Sequence, residues 1–489
     1  MHHTPKHPEH HHRPVDGNDA GSRRWLLPVL LVAQLMVILD ITAVNIALPH
    51  IATDLQLSGS TISWTITSYS LVFGSLLLFG GRAADLLGRR RMFLTGLGVF
   101  TASSLASATA GSAAMFFASR AGQGLGAAIL SPAALSIITS AFHGAARGKA
   151  LAAWGAIGGA GAAIGVLVGG VLTQFTDWRT IFYVNLPVAA ALLVASRKVV
   201  PADEQKPRWR GLDLAGAALA TTSLAAIVYG ITQADSAGWT SVQTHVCGIG
   251  GLAGLAAFAI YELHIAAPLL RVERIADRAV GGGLVLMLAT AGSIFGLFLL
   301  CSLYLQNVLG MGPLATGLAF IPLALSAGIG AHGAGHLVAK HGVRGPLSVA
   351  FAVAAAGLFL LSRVGEHGSY LTDVLPGMLI AGVALGVATV SVSMAILTGT
   401  RHDESGMISG LNSTGHEIGG TLGIAIFSTI AAGASGAILG RQAASGIGHA
   451  FLIAALVATL ASLVALAILP RAQHFLAKLR LNPQAMPAH

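Results

Sequence analysis

The chain alternates between long apolar stretches and short polar connections along almost its whole length. Each apolar stretch is about 20 residues long, which is the length of helix that crosses a hydrocarbon core of about 30 Å. Short connections are typical of antiparallel neighbours in helical bundles. The pattern predicts an all-α integral membrane protein with fourteen spans, near residues 26–49, 62–80, 92–110, 114–138, 150–174, 180–196, 212–231, 245–263, 280–304, 314–337, 346–362, 374–398, 408–431 and 448–469.

The basic residues give these predicted spans an orientation. If the N-terminus is cytoplasmic, all but four of the 28 Lys and Arg residues lie in cytoplasmic tails and loops. The exceptions are Arg120, inside a span, and Arg179, Arg363 and Arg441, in outer loops. An excess of Lys and Arg is typical of cytoplasmic loops. We therefore predict a multi-pass protein of the cell (cytoplasmic) membrane with both termini in the cytoplasm.

The composition narrows the class of protein further. The chain is 54% hydrophobic and only 10% charged, whereas soluble domains carry about 25% charged residues. This excludes an ordinary soluble enzyme. The net charge of +9 is accounted for by the predicted topology, so we expect the lipid bilayer, and no nucleic acid, as a partner. The 62 glycines suit helices that pack closely in lipid.

A weak internal repeat divides the chain into two halves. Residues 335–344 have the same glycine spacing as residues 81–90, and each segment follows the second helix of a six-helix set. Repeated halves with a binding site between them are usual in secondary transporters. We predict a disordered His-rich tail at 1–24, a six-helix bundle at 25–200, a linker with two extra helices at 201–265, a second bundle at 266–470 and a cytoplasmic tail at 471–489.

The His-rich tail is one place where a metal ion can be considered. Short His-rich tracts can bind metals, but this tract has no fixed ligand spacing. We interpret it as a disordered soluble tail and expect no metal site and no cofactor.

Three ionisable residues lie deep inside predicted spans: Asp40, Arg120 and Glu417. A charge at the centre of a bilayer costs about 2.5–3.5 kcal/mol on insertion scales, so such residues usually have a partner or face a cavity. Asp40 either loads and releases a proton or is a structural acid permanently paired with an arginine. Arg120 cannot deprotonate, so its role is either electrostatic tuning of the acid or structural pairing.

Glu417 has a different neighbourhood. It either receives a cationic substrate or a second proton, or is a packing residue capped by Asn412 and Ser413. His416 beside it belongs to the residue type that titrates near neutral pH. We place Asn45, Gln123, Asn412 and His416 as candidates for a substrate cavity.

The charged loop at 81–91 is costly to keep between two spans. Asp85 and its arginines can form charge pairs between helices, and such pairs bias two conformations if they differ between them. We predict a conformational switch formed by Gly81, Asp85, Gly88, Arg89 and Arg90. The alternative is an anchor that only fixes the topology.

Glycines also cluster in the predicted fifth span. Gly165, Gly169 and Gly170 make this helix bendable and able to pack closely, as a hinge between rocking halves requires. No lysine follows them, so they do not form a phosphate loop.

Taken together, these segments resemble the fourteen-helix drug:proton antiporters of the major facilitator superfamily. Residues 39–49 match that family's Leu-Asp-x-Thr-x-x-Asn-x-Ala-Leu-Pro pattern, and residues 120–127 match its Arg-x-x-Gln-Gly-x-Gly motif. Residues 178–187 match its Trp-Arg…Phe…Asn-x-Pro segment, while Tyr304-Leu305-Gln306 and Ile321-Pro322 fit its second half. The family's span-5 motif usually has a proline where this chain has Val166.

The resemblance implies the major facilitator fold and a function. It implies export of lipophilic drugs or antibiotics, in exchange for protons, by a monomer that is not an enzyme. Asp40 is then the proton carrier and Arg120 its electrostatic partner. The alternatives are a proton symporter that imports a small metabolite and a non-transporting membrane receptor or lipid-handling protein.

Overall fold

The computed structural model describes residues 19–57, 59–142, 144–203, 207–209, 212–266, 268–397, 405–435 and 442–469. All regular structure in this part of the chain is helical. The predicted tails at 1–24 and 471–489 lie outside it, apart from residues 19–24. The α-helices are α1 Asp19–Asp54, α2 Trp64–Leu87, α3 Arg89–Ala108, α4 Ala113–Ala141, α5 Gly144–Phe175, α6 Thr180–Val199, α7 Leu214–Ala237, α8 Val242–His264, α9 Arg278–Leu303, α10 Pro313–Ala319, α11 Ile321–His341, α12 Arg344–Leu361, α13 Leu375–Leu397, α14 Ser405–Ser435 and α15 Ala443–Ile468.

Eleven helical segments of the described chain are long and apolar enough to cross a membrane. The chain is therefore an all-helical, multi-pass membrane protein. The other long helices, α3, α5 and α14, pack alongside them. Helix α3 begins with three arginines and α14 carries His416 and Glu417, which lowers their average hydropathy. The count of fourteen spans stays a prediction.

The tenth predicted span, 314–337, is not one continuous helix. It consists of the short α10 and the longer α11, which are separated at Phe320. Pro322 lies at the start of α11, where a residue without a backbone N–H is tolerated but cannot continue the ladder from a preceding helix. The two helices together form one segment, Pro313–His341, that is long and apolar enough to cross a membrane, as predicted.

The helices form two groups with an extra pair beside them. Helices α1 to α6 pack among themselves, as do α9 to α15, and the groups meet where α2 contacts α14 and α5 contacts α10. In the extra pair, α7 packs against α2 and α14, whereas α8 contacts mainly α7. Leu224 and Val228 of α7 share a small apolar cluster with Leu71 and Ala425. Helix α7 thus lies along the seam between the two groups.

Glycine allows very close helix contacts in the first group. A Cβ placed on Gly96 of α3 would lie 2.6 Å from the backbone nitrogen of Leu130 in α4, whereas one on Gly98 of the same helix meets nothing within 4 Å. Dispersion contacts between backbones replace the missing hydrophobic drive between helices in lipid. This proximity keeps α3 against α4, which carries Arg120.

The two glycines therefore make a matched pair for mutation. We expect Gly96→Ala to destabilise the protein by about 1–3 kcal/mol, the usual cost of overpacking. Gly98→Ala should be neutral or slightly stabilising, because alanine favours helix and has space here. Thermal unfolding of both purified variants in detergent measures the difference. Equal melting temperatures for the two variants would contradict the proposed close contact.

Candidate functional site

Four helices of the first group, α1, α3, α4 and α6, converge on Asp40. Helix α1 carries Asp40, α4 carries Arg120 and Gln123, and α6 carries Asn185. Arg120 and Gln123 are three residues apart, so they share one face of α4. Asp40, Arg120 and Gln123 are each at most 1% exposed. The structure thus brings together two residues predicted for proton coupling and one predicted for the cavity.

The carboxylate of Asp40 is fully supplied with hydrogen-bond donors. Arg120 Nη1 forms an ion pair with Oδ2 and also donates to Gln123 Oε1 at 2.8 Å. Gln123 Nε2 and Asn185 Nδ2 donate to Oδ1 at 2.8 and 3.0 Å. Both amide nitrogens also lie within hydrogen-bond distance of Ser104 Oγ on α3. Both oxygens of this buried carboxylate therefore have hydrogen-bond partners, as buried polar groups require.

Aromatic rings and a carbonyl hold the guanidinium on its other sides. Arg120 Nε donates to the carbonyl of Thr65 at 3.2 Å. The guanidinium carbon lies 4.6 Å from the ring centroid of Tyr69 and 5.7 Å from that of Phe182. Ring faces attract cations, most strongly where water is excluded. Arg120 is therefore fixed in one position beside Asp40.

Local sequence fixes the helix ends that set these residues in register. Ser112 caps α4, because its Oγ accepts a hydrogen bond from Met115 N. Before α6, Asp177 Oδ1 accepts from Arg179 N at 2.7 Å, and Trp178 packs edge-on against Phe116. These turns anchor the same end of α4 and α6. We call this end of the helices the Trp178 end. The opposite end, where α2 is followed by α3, is called the Asp85 end.

The predicted hinge glycines lie against α1 at the level of Asp40. A Cβ on Gly165 would overlap Thr42, and one on Gly169 would lie 2.6 Å from Ala43 Cα. A Cβ on Gly170 would lie 2.8 Å from the carbonyl oxygen of Pro313 in the second group. These glycines therefore permit close packing of α5 with both α1 and α10.

A cavity of about 1040 Å³ lies between the two groups and reaches the Asp85 end. Apolar side chains of both groups make up much of its wall, including Ile38, Ile41, Phe73, Leu77 and Met287. Polar and charged groups line it as well: Gln34, Arg82, Asp85, Arg89, Arg147, Arg271, Asn412, Ser413, His416 and Glu417. Of the four predicted cavity residues, Asn412 and His416 line it. Asn45 and Gln123 lie elsewhere in the structure.

Glu417 reaches this cavity from α14. Its Cβ packs against Gly74 of α2, where an added Cβ would lie 2.7 Å away. Its Oε2 atom has no hydrogen-bond partner among the described residues. Asn412 donates to Ser393 Oγ at 3.3 Å rather than to Glu417, and His416 lies edge-on to the ring of Phe295. Glu417 thus has a buried oxygen in the cavity wall that is free to accept a hydrogen bond.

The two groups make direct hydrogen bonds at the Trp178 end. Ser302 Oγ donates to the carbonyl of Asn45 at 2.9 Å, and Gln306 Nε2 donates to the carbonyl of Ile46 at 3.0 Å. These bonds join α1 to α9 and to the turn that follows it. The groups are therefore in contact at the Trp178 end and separated by the cavity at the Asp85 end.

Residues 81–91, predicted as a loop, are the end of α2, Gly88 and the start of α3. This corner is tied to the chain segment that follows α6. Gly88 has a φ of +109°, which favours glycine, and Asp85 pairs with Arg89 at 3.7 Å. Asp203 accepts hydrogen bonds from the backbone nitrogens of Arg90 and Arg91, both at 3.0 Å. Neither Asp203 nor Asn185 was predicted as a partner of these sites. Only the order of motifs could have indicated Asn185, which lies in the 178–187 segment.

Metal ligands do not cluster in the described residues. Within this part of the chain, no group of three or more His, Cys, Asp or Glu side chains is placed to hold a metal ion. The site is a buried ion pair beside a cavity of mixed polarity, which suits charge movement and ligand binding.

The sequence of this chain is similar to those of known proteins. The sequence profile of the Major Facilitator Superfamily matches residues 30–424. The chain is 39% identical to the puromycin resistance protein pur8 of Streptomyces alboniger, over 86% of this chain and 84% of that protein. It is 34% identical to the cephamycin export protein CmcT of Amycolatopsis lactamdurans, over 87% and 88% of the two chains.

Solved structures with little sequence identity share the fold. A bacterial homologue of the human lysosomal transporter Spinster superposes with a TM-score of 0.65 at 16% identity, covering 94% of this chain and 98% of that one. The POT family transporter PepTSo gives a TM-score of 0.64 at 14% identity, covering 91% of this chain and 97% of that one. The predicted superfamily is confirmed by the profile match and the relatives.

The tie between Asp203 and α3 can be tested directly. Asp203→Ala removes the acceptor for two backbone N–H groups at the start of α3, a loss that costs about 0.5–2 kcal/mol for a helix cap. We expect faster hydrogen exchange of the amides of Arg90 and Arg91. The first turn of α9, which Asp277 caps separately, should be unchanged. Unaltered exchange at Arg90 and Arg91 would show that Asp203 does not cap α3.

Proposed function

Because this chain belongs to the Major Facilitator Superfamily and is a transporter rather than an enzyme, we propose that it exports antibiotics or other lipophilic drugs across the cell membrane in exchange for protons. The observation that carries the proposal is a sealed Asp40–Arg120 ion pair beside a separate cavity. The ion pair can respond to a proton while the cavity holds a substrate.

The relatives support drug export. Besides the proteins named for puromycin and cephamycin, a lincomycin resistance protein of Streptomyces lincolnensis is 32% identical over 86% of both chains. The cavity fits such substrates in kind, since pockets for drug-sized ligands occupy about 300–1,000 Å³ and are lined mostly by apolar groups with a few polar ones. We propose that the substrate binds there as a lipophilic small molecule.

Proton coupling follows from the energetics of the ion pair. Protonating Asp40 would leave Arg120 charged, buried and without its counter-ion. Leaving one charge of a buried ion pair without its partner costs about 3–5 kcal/mol. The bound proton therefore disfavours the conformation described here and favours one in which α1 and α4 separate or water enters. A proton and a substrate need only favour opposite conformations.

Alternating access supplies the transport step. In this conformation the groups touch at the Trp178 end, and the cavity reaches the Asp85 end. With fourteen spans and a cytoplasmic N-terminus, as the charge distribution favours, the Asp85 end is cytoplasmic. Substrate then enters from the cytoplasm, and a proton arriving from outside at Asp40 promotes the reverse opening. We further propose that the protein acts as a monomer. In this proposal residues 81–91 are the conformational switch and the α5 glycines are the hinge between the two conformations.

The central prediction concerns Asp40. Asp40→Asn keeps the side-chain shape but cannot carry a proton, so we expect drug-dependent proton movement to fall to background. Asp54→Asn is a matched control on the same helix, because Asp54 is half-exposed and pairs with Arg179 at the Trp178 end. Everted vesicles acidified inside, given a pH-sensitive dye and then puromycin or lincomycin, measure the proton release.

Each outcome of this measurement is decisive for the coupling. Proton release in wild type and Asp54→Asn, but not in Asp40→Asn, supports antiport through Asp40. Uphill export by Asp40→Asn at the wild-type rate would rule out Asp40 as the coupling acid. Drug entry together with protons, rather than proton release, would instead indicate import.

A second prediction concerns Glu417 and the charge of the substrate. Glu417 offers a carboxylate oxygen without a partner in the cavity wall, so Glu417→Gln should weaken export of monocationic drugs about tenfold or more. It should leave export of neutral drugs of similar size nearly unchanged. Glu366→Gln, on the exposed surface, is the control. Equal losses for neutral and cationic drugs would show that Glu417 does not select for charge.

A further inference from the structure

A second set of buried acids lies outside the Asp40 network, at the Asp85 end of α7 and α8. Asp213 immediately precedes α7, and Glu262 lies in the last turn of α8. Their exposed fractions are only 4% and 3%. Neither residue lines the cavity or contacts the Asp40–Arg120 pair, so the proposed transport mechanism leaves both unexplained.

Each of these carboxylates has one satisfied oxygen and one without a donor. Asp213 Oδ1 accepts from Gly216 N at 2.8 Å and from the hydroxyl of Tyr261 at 3.1 Å. Glu262 Oε2 accepts from Leu270 N at 3.1 Å. The remaining oxygens, Asp213 Oδ2 and Glu262 Oε1, are buried and have no hydrogen-bond partner among the described residues.

The two oxygens without donors lie against the same glycine, Gly216. A Cβ added to Gly216 would lie 2.8 Å from Glu262 Oε1 and would overlap Asp213 Oδ2. Asp213 Oδ2 and Glu262 Oε1 are therefore close neighbours. A hydrogen bond between them needs one proton, because two ionised carboxylates have no donor to offer.

The local charge balance also requires that proton. Two buried carboxylates side by side repel each other and both lose hydration. The ion pairs of the described chain involve neither of them. The start of α7 offers Asp213 a partial positive charge, which offsets only part of one negative charge. We infer that Asp213 and Glu262 bind a single shared proton between Oδ2 and Oε1.

Other charged groups on neighbouring elements do not replace it. The titratable or charged side chains on neighbouring elements include Arg208 before α7, Tyr229 of α7, His245, Tyr261 and His264 of α8, Arg271, Glu273 and Asp277 of the α8–α9 connector (residues 265–277), Arg82 and Asp85 of α2, and His416 and Glu417 of α14. Of these, Tyr261 donates a hydrogen bond to Asp213.

The shared proton links three parts of the chain at the cavity mouth. It joins the start of α7 to the end of α8, and Glu262 in turn holds the backbone of Leu270 in the connector. Leu269 and Arg271 of the connector line the cavity. Loss of the proton should loosen this part of the wall. The inference rests on no step of the proposed transport at Asp40, so either can fail alone.

Infrared spectroscopy of the purified protein tests the shared proton. We expect a protonated-carboxyl C=O band at neutral pH that disappears in Glu262→Gln and equally in Asp213→Asn. The double variant should lose no further band, because both single variants remove the same proton. Asparagine also caps helices well, so α7 should keep its start. Persistence of the band in either single variant would overturn the inference.

A cation between the acids is the competing occupant. Two carboxylate oxygens fall short of the six to eight oxygen ligands of Ca²⁺. Adding Na⁺, K⁺ or Ca²⁺ at fixed pH should therefore leave the band unchanged. Loss of the band with rising concentration of any of these ions would replace the proton with a metal ion.

Hydrogen exchange tests the link to the connector. After correction for the intrinsic rate, the Leu270 amide of the wild type should exchange several-fold faster once the pH is high enough to remove the band. In Glu262→Gln this acceleration should be absent. Gly216→Ala should speed exchange at all pH values, whereas Gly250→Ala, where an added Cβ meets nothing within 4 Å, should not. Equal pH dependence in wild type and Glu262→Gln would show that the proton does not hold the connector.

Discussion

The ion pair between Asp40 and Arg120 is the constraint on which the arrangement of α1, α3, α4 and α6 depends. Two charges removed from water need each other and every available donor, and the structure supplies them from Gln123 and Asn185. Each donor comes from a helix that would otherwise be free to slide in lipid, where apolar surfaces give little positional preference. The pair therefore sets the register of the first helix group, and close glycine contacts allow that register to be reached.

Helix α1 separates the acid from the cavity. Ile38 and Ile41 line the cavity, while Asp40, between them in sequence, lies among α3, α4 and α6. A substrate in the cavity need not touch the acid to respond to it, because a movement of α1 that releases Asp40 from Arg120 also moves the cavity wall. In our proposal coupling is thus carried by one rigid helix with two faces, and its size is the difference in free energy between two conformations.

The sequence predicted the helices and the buried charges of this arrangement, but not all of the partners of those charges. Apolar length and loop charge predicted the helices, and the cost of charge in lipid identified Asp40 and Arg120 before any partner was known. The same glycine spacing in two loops corresponds to a positive φ at both Gly88 and Gly342. Asn185 and Asp203 could not be found in this way, because a polar residue near a helix end is common and its partner lies more than 100 residues away. The tenth span is present, but its division into α10 and α11 was not predicted, because apolar length alone does not report where a proline interrupts a helix.

The segment between the two helix groups has more than a spacing role in this structure. Asp203 accepts hydrogen bonds from two backbone nitrogens in the first turn of α3. Asp213 caps the start of α7 and lies close to Glu262. A flexible spacer would need neither the partly buried Asp203 nor the buried Asp213, and each is costly unless it is matched by donors or a proton. Both acids lie at the Asp85 end, where the groups must move if the cavity is to close. The linker and extra helices are therefore placed to resist or permit that movement, and their acids differ in kind. Asp203 is held by backbone donors and lies beside Arg91, whereas the inferred proton can leave Asp213 and Glu262.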